Sequence, residues 1–276
     1  MRLSLARRKS PAYSDGFTLV EMLIVAPIAI LSIAAILSLT ITMIGDAIVA
    51  QDRATTSYAA QDALDKMEQD IRLSSAFLGS LSDLPPGQGR NASTSSMNDT
   101  TAFSATNSGT ADTLILNQMA TTLDPLDKSR AIVYYNKQPN DCANQNYILN
   151  RPFTTHVIYF LRDDGTDNTV LWRRVVVPKW NLNTGASSDS DSVCAAPWQR
   201  DTCPAVALQN CQTVDEKMVG NVSALTLTYY ARDGQVVTDS SNATHVKVLL
   251  SISKSIAGDT VQSSASLRAT RTNSTK

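Results

Sequence analysis

The chain has 276 residues, of which 43% are hydrophobic and 18% are charged. This length and composition fit one globular domain with an additional segment. Because the formal net charge is only −1, the whole chain has no electrostatic attraction for nucleic acid, and any contact with DNA would depend on a local basic patch.

An uncharged apolar run near the N-terminus predicts a membrane span. The run covers residues 22–44, and a helix of that length rises about 35 Å, enough to cross a hydrocarbon core. The leader before it, residues 1–16, carries four basic side chains: Arg2, Arg7, Arg8 and Lys9. Such charges keep a leader in the cytoplasm, so we expect residues 17–45 to be the transmembrane first half of a long helix and the rest to be exported.

The helical pattern continues past the span as an amphipathic second half, residues 46–79. Apolar residues there recur at steps of three and four: Ala60, Leu64, Met67 and Ile71. This spacing places them on one face, which predicts packing on a sheet. We predict one helix from Phe17 to about Phe77, with Gly79 supplying its left-handed end.

Residues 80–112 are rich in Ser, Thr, Gly, Asn and Pro, which predicts a long surface loop. Asn91 and Asn98 begin glycosylation sequons, although such triplets also arise by chance in a Ser/Thr-rich stretch. From residue 113 to 276 the pattern changes to short β-rich runs. The predicted strands are 113–120, 130–136, 156–163, 169–177, 223–233, 245–253 and 263–271.

These runs predict an antiparallel sheet with one covered face. Within residues 245–253, four apolar residues alternate with their neighbours: Val246, Val248, Leu250 and Ile252. Glycine-containing turns at 162–168 and 232–235 predict hairpins. The predicted fold class is therefore α+β, with a long N-terminal helix, membrane-spanning in its first half, packed on an antiparallel β-sheet.

Four cysteines lie in the predicted exported part, where oxidation is possible: Cys142, Cys194, Cys203 and Cys211. Their wide spacing lacks the close ligand pairs of zinc sites, which favours disulfides over zinc or free thiols. Four cysteines allow three connectivities. We expect a local Cys203–Cys211 bond together with Cys142–Cys194, and we expect disulfides to order the irregular insertion 178–212.

The carboxylate of Glu21 stands at the start of the predicted span. An ionisable group within a membrane is costly and indicates a functional site, whereas the simpler alternative places Glu21 at the interface. A cut between Gly16 and Phe17 would create an α-amine four residues before this carboxylate. Amine and carboxylate groups on neighbouring copies would then neutralise each other in a low dielectric, and Glu21 would set the register of assembly.

The segment G-F-T-L-V-E, residues 16–21, lies between a short basic leader and a long apolar run. In this context it resembles the cleavage and methylation motif of type IV prepilins and type II secretion pseudopilins. The resemblance implies that a prepilin peptidase cuts after Gly16 and methylates the Phe17 amine, and that Glu21 pairs with this amine on an adjacent subunit. Pro27 departs from the pattern, because many members carry their helix-disrupting proline further along, and it predicts a helix kink.

By this resemblance the chain is a structural minor pilin or pseudopilin, most like the large J-type subunits near a filament tip. The weaker, pattern-level similarity to that subclass lies in residues 60–76 and in residues 222–234 followed by 246–253. The implied partners are the prepilin peptidase, other pilin or pseudopilin subunits and, before assembly, membrane lipid. The resemblance leaves three assemblies open for this subunit: a surface pilus, a competence filament and a secretion pseudopilus.

Two other functions stay open beside the filament subunit. A tip module could bind a host surface, an exported substrate or DNA, since cations beside aromatic rings are typical of DNA contacts. The candidate residues for DNA are Trp172, Arg173, Arg174, Lys179, Trp180, Arg268, Arg271 and Lys276. A single-span anchored domain without filament assembly would also fit the apolar run.

An enzyme is not expected, and neither is a cofactor or a metal centre. His156 and His245 are the only imidazoles, and the sequence has no nucleophile elbow, phosphate loop or metal-ligand pair. Four oxygen-bearing side chains in one turn leave calcium as an alternative to a plain turn: Asp163, Asp164, Asp167 and Asn168.

Overall fold

The computed structural model describes residues 18–92, 96–105, 113–136, 152–164, 168–178, 180–181, 186–187, 192–256 and 259–271. They form an α+β fold that divides into two compact units, Met1–Gln51 and Asp52–Lys276.

One helix, α1, spans Leu19–Leu73, and two short 3-10 helices are η1 (Ala205–Asn210) and η2 (Ser240–Asn242). The described strands are β1 Ser74–Phe77, β2 Ser80–Leu81, β3 Phe103–Ser104, β4 Thr113–Met119, β5 Tyr135–Asn136, β6 Thr154–Asp163, β7 Thr169–Val176, β8 Trp180–Asn181, β9 Ala186–Ser187, β10 Ser192–Val193, β11 Thr202–Cys203, β12 Thr213–Val214, β13 Glu216–Val219, β14 Val222–Tyr230, β15 Val236–Val237, β16 His245–Ile256 and β17 Asp259–Thr270.

The second half of α1 buries its apolar stripe, as the spacing predicts. Five stripe residues are at most 2% exposed: Ala60, Ala63, Leu64, Met67 and Ile71. They share one core cluster with strand residues such as Leu116, Val157 and Leu250. Lys254 Nζ on β16 also donates to the Asp52 carboxylate over 3.0 Å, which ties the beginning of the packed half to the sheet.

The helix ends at Leu73, before the predicted Phe77. The buried Ser74 donates its hydroxyl to the Ile71 carbonyl oxygen over 2.7 Å. Residues Ser74–Phe77 then form β1 and pair with β4, where Phe77 lies opposite Leu116. The prediction of a helix through residue 77, ended by Gly79, was therefore wrong, because pairing with a distant strand overrides local helical propensity.

The first large sheet is antiparallel, in the order β1-β4-β6-β7-β13. The predicted turn at 162–168 does join two paired strands, since Asp163 of β6 pairs with Thr169 of β7. The predicted strand at 130–136 is mostly absent. Only Tyr135–Asn136 is a strand there, and Ile132 and Tyr134 form isolated bridges.

The described residues of the predicted surface loop 80–112 instead cover the second face of this sheet. We call residues 80–92 and 96–105 the outer layer. Within it β2 pairs with β3, and Phe103 is fully buried. Phe103 belongs to a second apolar cluster: Leu84, Ala105, Ile115, Ile158, Phe160 and Val176. For this first sheet the prediction of one covered face was wrong, because a few apolar anchors are enough to hold a polar stretch on its second face.

The second large sheet is antiparallel, in the order β15-β14-β16-β17. Its central strand confirms the predicted alternation, and four of its side chains are at most 1% exposed: Val246, Val248, Leu250 and Ile252. The predicted hairpin after Tyr230 is also present. Gly234 has a φ of +85° there, and the Ala231 amide donates to the Gln235 carbonyl oxygen over 2.8 Å.

Candidate functional site

The first unit presents, from Leu19 onward, a helix covered with exposed apolar side chains. Every large apolar side chain between Leu19 and Ile48 is at least 50% exposed. Among the described residues this is the one helix whose length and composition would allow it to cross a membrane. An apolar surface of this extent is typical of a segment that contacts lipid or other protein chains.

Three of the hydroxyl groups within this apolar segment are bonded to its own backbone. Ser32, Thr40 and Thr42 each donate to the carbonyl oxygen four residues earlier, over 2.8 to 3.0 Å. Polar groups in hydrocarbon are costly unless they are paired. The hydroxyls of Ser32, Thr40 and Thr42 therefore enter an apolar environment with their donors already satisfied.

Pro27 lies inside α1, and the helix continues on both sides of it. Proline has no backbone N–H, so the Leu23 carbonyl oxygen lacks its usual donor four residues later. The bend predicted at Pro27 stays a prediction.

Glu21 takes part in a reciprocal cap at the start of α1. Its carboxylate Oε2 accepts hydrogen bonds from the Thr18 amide over 2.9 Å and the Thr18 hydroxyl over 2.8 Å. The Glu21 amide in turn donates to the Thr18 hydroxyl oxygen over 3.3 Å. This is the capping box, a pairing of an N-cap residue with a glutamate three positions later. Gly16 and Phe17, where cleavage and methylation are predicted, lie outside the described residues.

The role of Thr18 is a feature that the sequence prediction missed. The signal was present, because a Thr-x-x-Glu pattern directly before an apolar run is typical of a capping box. The prediction for Glu21 concerned only an ion pair with a neighbouring chain and did not include hydrogen bonds within its own helix turn. The cap fixes the carboxylate beside the first turn, at the end of the exposed apolar segment.

Arg173, a candidate for contacting DNA, is engaged by carboxylates of its own chain. Its Nε donates to Asp70 Oδ2 over 2.7 Å, and its Nη1 donates to Glu216 over 3.3 Å. Tyr159 also donates its hydroxyl to Asp70 Oδ2 over 2.7 Å. Burial, strengthened by the nearby Asp70 charge, raises the pKa of Tyr159 well above its ordinary value. This cluster joins α1 to the sheet.

Arg174, the second candidate, is completely buried under the outer layer. Its guanidinium forms a two-pronged ion pair with the equally buried Asp215, with an Nε to Oδ1 distance of 3.0 Å. Its Nη1 donates to the carbonyl oxygens of Gln88 over 3.0 Å and Gly89 over 2.7 Å. The charges of Arg173 and Arg174 are thus both paired internally, so these two residues do not supply free cations for the DNA alternative.

The remaining residues of the predicted DNA surface are dispersed. Arg162 places its guanidinium 4.6 Å from the Trp172 ring, and Arg271 donates to the Ser75 carbonyl oxygen over 2.7 Å. Arg268 stacks 4.9 Å from the Tyr230 ring on the second sheet. Lys179, Lys276 and the side chain of Trp180 lie outside the described residues.

The predicted Cys203–Cys211 disulfide is present and closes a short loop around η1. Cys194 is also disulfide-bonded. Its predicted partner, Cys142, lies outside the described residues. Within its described residues, the insertion 178–212 forms short strands and the 3-10 helix η1.

The histidines and the acidic turn stand apart from one another. Burial lowers the pKa of His156 to about 4, and His245 Nδ1 lies 2.7 Å from the Thr244 hydroxyl. Asp164 accepts a hydrogen bond from Lys217 over 3.0 Å. Asp167 lies outside the described residues, and within the described ones no group of three His, Cys, Asp or Glu side chains is arranged to hold a metal ion.

Comparison with known proteins assigns no family. No family model matches the chain, and no curated protein matches it at a significant level.

Proposed function

We propose that this chain is a structural minor pilin or pseudopilin subunit, assembled from the membrane into a type IV pilus-like filament. The observation that carries the proposal is the helix surface between Leu19 and Ile48, whose large apolar side chains are all exposed and which has no charged residue from 22 to 44. The helix begins at Leu19, within the motif at 16–21, which supports a helix that passes from lipid into a bundle of similar helices. The α+β domain that follows would be the exported part.

The energetics of this helix favour transfer between two apolar surroundings. In a bilayer its side chains would contact lipid, and in a filament they would contact neighbouring helices, so neither state exposes them to water. The internally bonded hydroxyls of Ser32, Thr40 and Thr42 fit both surroundings. Apolar packing of this kind has little directional preference, which leaves the register to a polar contact.

Glu21 is the residue we assign to that contact. A prepilin peptidase would cut after Gly16 and methylate Phe17, and the new amine of one subunit would pair with Glu21 of the next. The cap from Thr18 engages Oε2 and holds the carboxylate at a defined place on the first turn. An ion pair in a low dielectric stabilises one register strongly, because a shifted register leaves both charges unpaired.

Two variants of Glu21 separate pairing between subunits from capping within one. Glu21→Gln keeps an oxygen that can accept from Thr18 but removes the charge, whereas Glu21→Val removes both. We expect both variants to be present in membranes at wild-type amounts and to be absent from sheared filaments. The measurement is the ratio of filament-bound to membrane-bound subunit in the native cell.

The control is Thr18→Val, which removes the hydroxyl of the cap and keeps the charge. We expect it to be incorporated with reduced efficiency. Normal incorporation of Glu21→Gln would show that the charge sets no register. Absence of the wild-type subunit from any filament, together with a mature chain that still begins at Met1, would contradict the proposed function as a whole.

A further inference from the structure

A buried cation of the first sheet, Arg174, helps to hold the outer layer in place. Arg174 projects from β7 and donates to the Gln88 and Gly89 carbonyl oxygens of the layer. Its guanidinium also lies 5.0 Å from the Phe160 ring and 5.9 Å from the Phe103 ring. A buried cation is tolerated only when an anion compensates it, so the layer depends on whatever supplies that anion.

Asp215 supplies the anion, and the segment around the disulfide positions it. The Asp215 amide donates to the Cys203 carbonyl oxygen over 2.8 Å. The Thr202 hydroxyl donates to Asp215 Oδ1 over 2.9 Å and accepts from the Val175 amide over 2.9 Å. Both residues that fix Asp215 are thus members of β11, which ends at the first cysteine of the bond.

The strands that bring Asp215 to this place are too short to be stable alone. β11 and β12 pair in parallel through only two residues each, Thr202 with Thr213 and Cys203 with Val214. Parallel pairing normally joins longer strands through a larger connection. Here a loop of nine residues joins the two strands, and the Cys203–Cys211 disulfide closes it. The Cα atoms of the two cysteines lie 6.1 Å apart. The disulfide limits the freedom that this loop would gain on opening.

The closed loop also contacts the outer layer directly. The Asn210 amide nitrogen donates to the Met97 carbonyl oxygen over 3.4 Å. Gln88 Nε2 donates to Asp201 Oδ2 over 3.3 Å, and the Gln212 amide donates to Asp201 Oδ1 over 3.1 Å. Layer, loop and buried ion pair therefore form one connected unit.

We propose that Cys203–Cys211 is a redox-sensitive latch that holds Asp215 against Arg174, so that its reduction releases the outer layer from the sheet. A dithiol reductant would attack the sulfur of Cys211, which is less buried than Cys203. The old S–S bond breaks, Cys203 leaves as a thiolate and takes up a proton, and a mixed disulfide forms at Cys211. The second thiol of the reductant resolves it, so two electrons pass to the protein and the reductant becomes a disulfide.

Release of the layer would uncover apolar side chains that the closed form buries. Phe103 would leave the face formed by Ile115, Ile158 and Phe160. The latch thus couples the oxidation state of one bond to the exposure of an apolar sheet face. This inference concerns the second unit alone and holds whether or not the chain enters a filament.

Hydrogen exchange on the full chain in detergent micelles tests the latch. In the double variant Cys203→Ser/Cys211→Ser we expect amides of residues 84–92 and 99–105 to exchange about tenfold faster or more, as in a local opening. Amides of β14 and β16 should keep their wild-type rates. The matched control is Cys142→Ser/Cys194→Ser, which leaves the latch closed and should not change exchange in the outer layer.

A second variant tests the ion pair with the disulfide intact. Asp215→Asn keeps the size of the side chain but removes the anion, and we expect it to speed exchange in the same outer-layer amides. The control Asp233→Asn changes a carboxylate in an exposed turn and should have no effect there. Unchanged exchange in the cysteine double variant, or equal acceleration throughout both sheets, would overturn the proposal.

Discussion

Asp70 concentrates three different contacts on one side chain of α1. Besides Tyr159 and Arg173, its Oδ1 accepts a hydrogen bond from Gln118 Nε2 over 3.2 Å. These partners come from β4, β6 and β7, the three central strands of the first sheet. A single carboxylate therefore fixes both the rotation of the helix and its position along the strands. The stripe of apolar residues alone would allow the helix to slide, because apolar contacts are not directional.

We expect Asp70→Ala to destabilise the protein by about 3–5 kcal/mol, the usual cost of leaving one partner of a buried ion pair unpaired. Denaturant unfolding of the full chain in micelles, followed by tryptophan fluorescence, measures this change. The control is Asp62→Ala on the exposed side of the same helix, which should stay within about 0.5 kcal/mol of wild type. Equal effects of the two variants would contradict the role of Asp70.

His156 makes folding sensitive to acid. It lies on β6 between Asn117 and Val176 of the neighbouring strands, and its Nδ1 is buried without a hydrogen-bond partner in the structure. Burial lowers its pKa to about 4, so the folded state binds this proton less readily than the unfolded state does. Stability should therefore be constant above about pH 6.5 and fall as the pH decreases toward 4.

The expected loss from His156 is at most about 3 kcal/mol over that interval, since each pKa unit corresponds to about 1.4 kcal/mol. Unfolding free energies of wild type and His156→Leu at pH 7.5, 6, 5 and 4 measure it. The variant should show a shallower decline with acidification, whatever its stability at pH 7.5. Parallel curves for the two proteins would show that His156 does not carry the acid sensitivity.

At the scale of elements, the periodic patterns predicted the positions of the regular structure. The steps of three and four in α1 and the alternation in β16 correspond to the buried residues Leu64, Met67, Val248 and Leu250. Each such pattern extends over several turns or residue pairs. Such a pattern therefore identifies the buried face of a helix or strand even when the element that covers this face is unknown.

The elements that the sequence did not reveal depend on contacts between distant segments. Nothing local distinguishes Ser74 as the first residue of a strand, because its pairing partner lies in β4. Phe103 is likewise an isolated apolar residue in a polar stretch, although it anchors the outer layer. Arg174 was interpreted as a surface cation for the same reason, since its neutralising partner Asp215 lies 41 residues away.

The features of the candidate site also fall into those that a continuous stretch of sequence predicts and those that depend on contacts between distant segments. The apolar segment was predictable, because the length and composition needed to cross a bilayer are properties of a continuous run of sequence. The assembly role of Glu21 stays a prediction. The cap from Thr18 was predictable from its spacing but was overlooked. Of the proposed latch around Cys203 and Asp215, only the disulfide was predictable. The buried ion pair that the disulfide would hold in place was not, because its two residues and the outer-layer carbonyl oxygens that Arg174 contacts come from three separate segments of the chain.

At the scale of the whole molecule, the two units have opposite surface chemistry. The first unit, through Gln51, exposes a continuous apolar helix from Leu19 onward, whereas the second, from Asp52 onward, contains two clusters of buried apolar residues. The first is suited to hydrocarbon and the second to water. Under the proposed function, the leader charges at residues 1–16 decide on which side of the membrane the second unit lies.

Protease accessibility tests that orientation. We expect external protease to digest residues 52–276 in spheroplasts and to leave them intact in inside-out vesicles, because the basic leader keeps the N-terminus in the cytoplasm. Replacing Arg2, Arg7, Arg8 and Lys9 by glutamine should reduce the fraction digested in spheroplasts, whereas Asp46→Asn should not. Digestion confined to inside-out vesicles would place the second unit in the cytoplasm, where neither filament assembly nor export of this domain is possible.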